Sequence, residues 1–172
     1  MEDTIAIVIA IILAAILMFI FPLMKMSSEN DKIAQVVIQS ETSEYVATIA
    51  STGKITIEEY DKFVQTIHAT GNTYEVGFEI QIADGNSDKK TSSVTATLVG
   101  EQEFYSIFTD EVISRLEKEG VIVLKKGDII TVTVKNTNRS LFQILQAVFA
   151  STPSDSNVVM VQQAATVGAN GQ

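Results

Sequence analysis

The sequence predicts an α+β fold: a long N-terminal hydrophobic helix followed by a globular head with a mostly antiparallel sheet of about five strands and short helices. Three observations predict it. Ile5 to Met24 is an unbroken run of twenty apolar residues. The stretches after it repeat apolar side chains at helical spacing and are closed by glycines. From Tyr74 the repeat drops to two, the period of a half-buried strand. Three regions follow: residues 1–25 form the hydrophobic helix, 26–53 a helical stalk and 54–172 the globular head.

At about 1.5 Å of rise per residue the apolar run is about 30 Å long, the thickness of a bilayer's hydrocarbon core. A signal peptide begins with basic residues and has a shorter apolar centre. This run begins with Glu2 and Asp3, is of full length, and ends in Phe21-Pro22-Leu23-Met24-Lys25. It reads as a transmembrane helix. Lys25 and Lys32 follow the run, and by the positive-inside rule they place the head in the cytoplasm. Glu29 and Asp31 dilute that vote.

Lys25 to Asp31 is a short polar stretch, and a second helical stretch follows it: Ile33, Val36, Val37 and Ser40 share one face, while Tyr45, Val46 and Ile49 fall nearly opposite. The stripe slips by about half a turn near Ser40 to Ser43. Either Thr42 or Ser43 caps a new helix, or one helix touches different neighbours on its two sides. A long helix with a weak point, ended by Gly53, is the preferred reading. Thr56-Ile57-Glu58-Glu59 is a capping box, and Tyr60, Phe63, Val64 and Ile67 follow at helical spacing to Gly71. Tyr74, Val76, Phe78, Ile80 and Ile82 form the clearest strand. Asp84 to Thr91 reads as a loop, with Val94, Ala96 and Leu98 as the returning strand of a hairpin.

Phe104 to Phe108 is aromatic-rich and fits either class. Thr109 is placed to cap a helix through Val112, Ile113 and Leu116, ended by Gly120. Val121–Leu124 and Ile129–Val134 read as strands around the turn Lys125-Lys126-Gly127-Asp128. Ser140 opens a short helix carrying Phe142, Leu145, Val148 and Phe149, closed by Pro153. Val158 to Val161 reads as the last strand, and Ala169 to Gln172 as a frayed tail.

The formal net charge of −9 argues against nucleic acid and anionic lipid headgroups, which both select basic patches. No cysteine is present, which removes disulfides, thiolate metal sites and cysteine nucleophiles. Asp84, Asn86 and Asp88 have the oxygen spacing that opens a calcium loop. Lys89 stands where the turn glycine belongs and Thr95 where a bidentate glutamate belongs, so the simpler reading is a hairpin loop. His68 is the single histidine and lacks a second ligand for a metal. Thr52-Gly53-Lys54 lacks the upstream glycine of a phosphate loop. Glu58-Glu59 and Glu117/Glu119 read as capping and solvated helix face. Asn138-Arg139-Ser140 fits a glycan acceptor, and more simply a turn. The reading is no enzyme and no cofactor.

Functional weight falls on the first residues. Glu2 and Asp3 suit the positive end of the apolar helix, or a neighbour's α-amino group where rods pack side by side. Pro22 removes a backbone hydrogen bond where the rod leaves the apolar layer.

The run Ile7-Val8-Ile9-Ala10-Ile11-Ile12, then Leu13-Ala14-Ala15-Ile16 and Pro22, resembles the mature N-terminal helix of type IV pilins and pseudopilins. Thr52-Gly53-Lys54-Ile55-Thr56 through Tyr60, then Ala69-Thr70-Gly71-Asn72-Thr73-Tyr74-Glu75-Val76, and Lys126-Gly127-Asp128-Ile129 through Asn136, resemble TadE-like, tight-adherence pilus proteins of Gram-positive bacteria. The resemblance implies a structural subunit of an extracellular filament or of its membrane assembly apparatus. Residues 1–25 would then be a filament-core helix and the head would lie outside the cytoplasm. Partners would be membrane lipid before assembly, then copies of itself or related subunits, and the assembly machinery. Glu2, Asp3 and Pro22 would set register. Pilins of the main class carry a glutamate near the mature start, where this chain has Ile5; Glu2 lies within one turn of it. The alternative is a single-pass membrane-anchored binding module of a secretion or conjugation system that does not polymerise.

Overall fold

The computed structural model describes residues 2–83, 104–138, 144 and 160–171. The hairpin loop and returning strand expected from Asp84 to Leu98, and the short helix expected from Ser140, lie outside these residues. So do Asn86, Asp88 and Val158.

Helix α1 runs without a break from Glu2 to Thr52, so the polar Lys25–Asp31 does not separate two helices but is helical itself and joins the apolar run to the stretch beyond it. The slip of its apolar stripe is therefore a change of neighbour and not a change of helix. Thr42 caps nothing: its hydroxyl donates to the Ile38 carbonyl one turn back, 2.6 Å away, which satisfies it inside the core. Ala34, Ile38, Tyr45, Val46 and Ile49 face the head and are buried. Gly53 ends the helix at φ 67°, a left-handed conformation, with its N–H on the Ile49 carbonyl.

Strand β1 (Lys54–Thr56) leads into α2 (Ile57–His68). The Thr56 hydroxyl accepts from the Glu59 N–H and in turn donates to the Glu59 carboxylate. The capping box thus closes through the two side chains. Strand β2 (Tyr74–Ala83) buries Tyr74, Val76, Phe78 and Ile80, as its period requires. Phe104–Phe108 is strand β3, and α3 spans Thr109–Glu119. Thr109 does not cap α3. Its hydroxyl accepts from the Phe78 N–H and donates to the Phe78 carbonyl, which ties the start of the helix to β2. Gly120, at φ 72°, ends α3.

Strands β4 (Val121–Val123), β5 (Ile129–Asn136) and β6 (Met160–Thr166) complete the described head. All pairings are antiparallel. The four-stranded sheet has the order β3-β2-β5-β6, and a separate two-stranded sheet pairs β1 with β4. The strands flanking Lys125–Asp128 therefore do not form a hairpin with each other. Asp128 explains the parting. It is buried, its carboxylate accepts from the Lys125 N–H at 2.8 Å and from the Ala83 N–H at 3.1 Å, and its carbonyl accepts from Val167. One side chain thus ties the turn to the end of β2, and its backbone reaches the end of β6. β6 also extends beyond the expected Val158–Val161. Backbone pairing with β5 carries it to Thr166, through glutamine and alanine positions that show little apolar signal.

The tail is docked and not frayed. The Gly171 N–H donates to the Leu124 carbonyl, and the Asn170 side chain accepts from the Lys126 N–H at 2.8 Å. Gly53 and Gly171 bring two backbones together: a Cβ on Gly53 would meet the Ala169 carbonyl oxygen at 2.6 Å, and one on Gly171 would overlap the Gly53 carbonyl. The core sits between the four-stranded sheet and the helices, with α1 on β6 and β5, α2 on α1, and α3 on β4 and β2.

Candidate functional site

The two halves of α1 meet different surroundings. Every described large apolar side chain from Ile5 to Phe19 is exposed. The most apolar eighteen-residue stretch has a mean hydropathy of 3.2, and none of it is buried against the head. This helix is long and apolar enough to cross a membrane. Fully burying one such side chain is worth about 1.5–3 kcal/mol, so the run as a whole holds on the order of tens of kcal/mol of unmet burial. That exceeds the usual stability of a domain, about 5–15 kcal/mol. An apolar surrounding outside the head is therefore the dominant requirement of this segment.

Glu2 and Asp3 begin the helix. Pro22 lies inside the helix. It has no N–H to offer the Met18 carbonyl one turn earlier, and Met18 is among the most exposed residues of the run. The helix nonetheless continues past Pro22 for about eight further turns, about 30 residues, into the head. Only from Ala34 to Ile49 is this helix held against the head by tertiary packing.

Of the other candidates, Asp84, Asn86 and Asp88 lie outside the described residues. His68 is exposed at the end of α2, with Nε2 3.3 Å from the Tyr74 carbonyl. Asn138 organises a turn: its side chain accepts from the Thr73 N–H at 3.0 Å, and its own N–H donates to Asn136. Among the described residues no group of three His, Cys, Asp or Glu is placed to hold a metal ion.

Two features were not foreseen from the residues. Tyr45 is stacked on Phe63 with ring centroids 4.5 Å apart, and its buried hydroxyl has no partner among the described residues. Burial, then the negative charge of Glu59 and the neighbouring Tyr60, pushes this phenol well above its ordinary range. Tyr60 is raised too, by burial first and then by Asp61 and Glu117. Second, Phe104, Tyr105 and Phe108 are exposed on β3, which ends the four-stranded sheet among the described residues. Aromatic richness in Phe104–Phe108 was the visible signal, but nothing in the spacing gave their direction.

No protein-family model, curated protein or solved structure matches this chain.

Proposed function

We propose that the protein is a pilin-like structural subunit, of a type IV or tight-adherence filament or of its membrane assembly apparatus, with Glu2 and Asp3 setting register. The observation that carries this reading is the division of α1: one half unburied and apolar, the other built into a compact head. A rod that must find apolar neighbours, joined to a polar head by one continuous helix, can exchange lipid for copies of itself without refolding. Packing between such rods needs close van der Waals contact and no dedicated pocket. Shearing of cells should release the protein as large assemblies. The double variant Glu2→Ala with Asp3→Ala should stay in the membrane and fail to assemble. Unchanged filament yield from that variant would remove the role given to the two carboxylates.

A second reading is a singly anchored binding module that does not polymerise. The exposed Phe104, Tyr105 and Phe108 on β3 favour it, since aromatic side chains dominate many recognition surfaces. Such a protein would leave cells only with detergent, and replacing the three aromatics would abolish partner capture without altering release.

A further inference from the structure

The outward side of α1 carries a pattern that the described residues of the head leave exposed. Ile33, Val36, Ser40, Ser43 and Ala47 are spaced alternately three and four residues apart, and all five are exposed. Ile33 and Val36 are 62% and 67% exposed although they lie beyond the apolar run. The buried side of the same helix, with Ile38, Thr42 and Ile49, points the opposite way. Alternating steps of three and four are the spacing of a two-helix seam. The charged residues of this stretch, Lys32, Glu41 and Glu44, fall outside the seam. A shallow groove lined by Val36, Ser40, Ser43 and Ala47, with Gln39 and Glu44 at its sides and Gln163 of β6 as one wall, runs along it.

We propose that this face is a docking surface for the same face of a second copy, in a parallel, in-register pair. Two chains inserted in one bilayer with the same topology are parallel and at equal depth, so like positions meet like. A like-on-like contact tolerates small and apolar residues and penalises charge, which is the composition found from Ile33 to Ala47. In the apolar run every phase of the repeat is apolar, so the seam continues downward to Ile5 without choice. Glu29 is the one charged member above Lys25. In a parallel pair the flanking Gln39 would lie opposite Glu44 of the second copy, an amide donor beside a carboxylate acceptor. From Ile5 to Ala47 the strip is about 65 Å long and about 10 Å wide, so a pair would bury about 1,300 Å² in total, about a third of it above the membrane from Ile33 to Ala47 and the rest as close rod-to-rod packing in lipid. The inference rests on the membrane placement proposed above and not on filament assembly.

The chain has no cysteine, so single-cysteine variants report position directly. Val36→Cys, Ser40→Cys, Ser43→Cys and Gln35→Cys would each be made in the full chain, reconstituted in lipid vesicles and mildly oxidised. Gln35 is exposed but lies off the seam. The seam positions should give disulfide-linked dimers at least about tenfold faster than Gln35→Cys, because only they bring like Cα atoms within about 7 Å. Val36→Lys should lower the dimer fraction in the same vesicles, and Gln35→Lys should leave it unchanged. Equal rates at all four positions, or no dimer at the seam, would overturn the pairing. Cross-links only between unlike positions, such as Val36→Cys with Ser43→Cys, would also overturn it, since they mean a staggered contact. Filament loss in the Glu2/Asp3 variant with seam dimers intact would separate the two proposals.

Discussion

Helix α1 presents the same backbone in two surroundings, and the comparison separates secondary structure from packing. Near its start, Ile9 and Ile12 are exposed; near its end, Ile38 and Ile49 are fully buried. The residue type is the same. What differs is periodicity. Residues 5–24 are apolar on all sides, so no face is chosen and no compact head can cover them all. Residues 33–49 carry apolar groups on limited faces, and the head covers one of them. All-round apolarity calls for a solvent change, whereas one-sided apolarity calls for a neighbour.

Perturbations should therefore have effects that stay within one half. The largest is expected in the head. Ile49→Ala should destabilise it by about 4 kcal/mol, seen as a lower midpoint in urea, because a buried cavity opens where α1 meets the sheet. Its membrane partition should not move. Leu13→Arg should do the reverse, weakening insertion by about 3 kcal/mol while leaving the head's melting temperature unchanged. A fall in both quantities in either variant would mean that the halves are coupled through the rod.

Gly171→Ala sharpens the account of where α1 ends. The added Cβ collides with the Gly53 carbonyl, so the tail must lift and its bonds to Leu124 and Lys126 must lengthen. A loss of about 2 kcal/mol in thermal or urea unfolding is expected. The smallest effect belongs to Tyr45→Phe, which removes a hydroxyl without a partner among the described residues. Stability at pH 7 should stay within about 1 kcal/mol of the parent. The alkaline limb should change more clearly. In the unfolded chain this phenol ionises near its ordinary value of 10.0, and in the folded chain only at higher pH. Its contribution is complete below that value and is lost as pH rises from 10.0 through the folded value, so the variant should lose less stability there.

The sequence was most legible where one period dominated. β2 could be drawn residue by residue from Tyr74 to Ile82, and the unbroken stretch from Ile33 to Thr52 followed from treating its slipped stripe as two neighbours, but the joining of that stretch to the apolar run through the polar Lys25–Asp31 did not. Long-range partners were not legible. Lys125-Lys126-Gly127-Asp128 announces a turn but not that its two strands join different sheets. That outcome depends on the buried Asp128 carboxylate reaching Ala83 across the fold. Thr109 has the chemistry of a helix cap, yet a strand edge offered its hydroxyl both a donor and an acceptor. The Ala169–Gly171 tail shows no apolar signal, because it docks by backbone contact between glycines. For the candidate site, the apolar rod was evident, while the exposed seam at Ile33 and Val36 became meaningful only once the head was seen to cover the opposite side.

The central claim is that the first half of α1 is held by apolar matter outside its own head, while the second half is wet on one face. Labelling by a water-soluble maleimide tests it most directly, using Ile9→Cys and Gln35→Cys in the full chain within lipid vesicles. The account predicts rapid labelling at position 35 and almost none at position 9 until detergent or denaturant is added. Equal, rapid labelling of both positions in intact vesicles would contradict it.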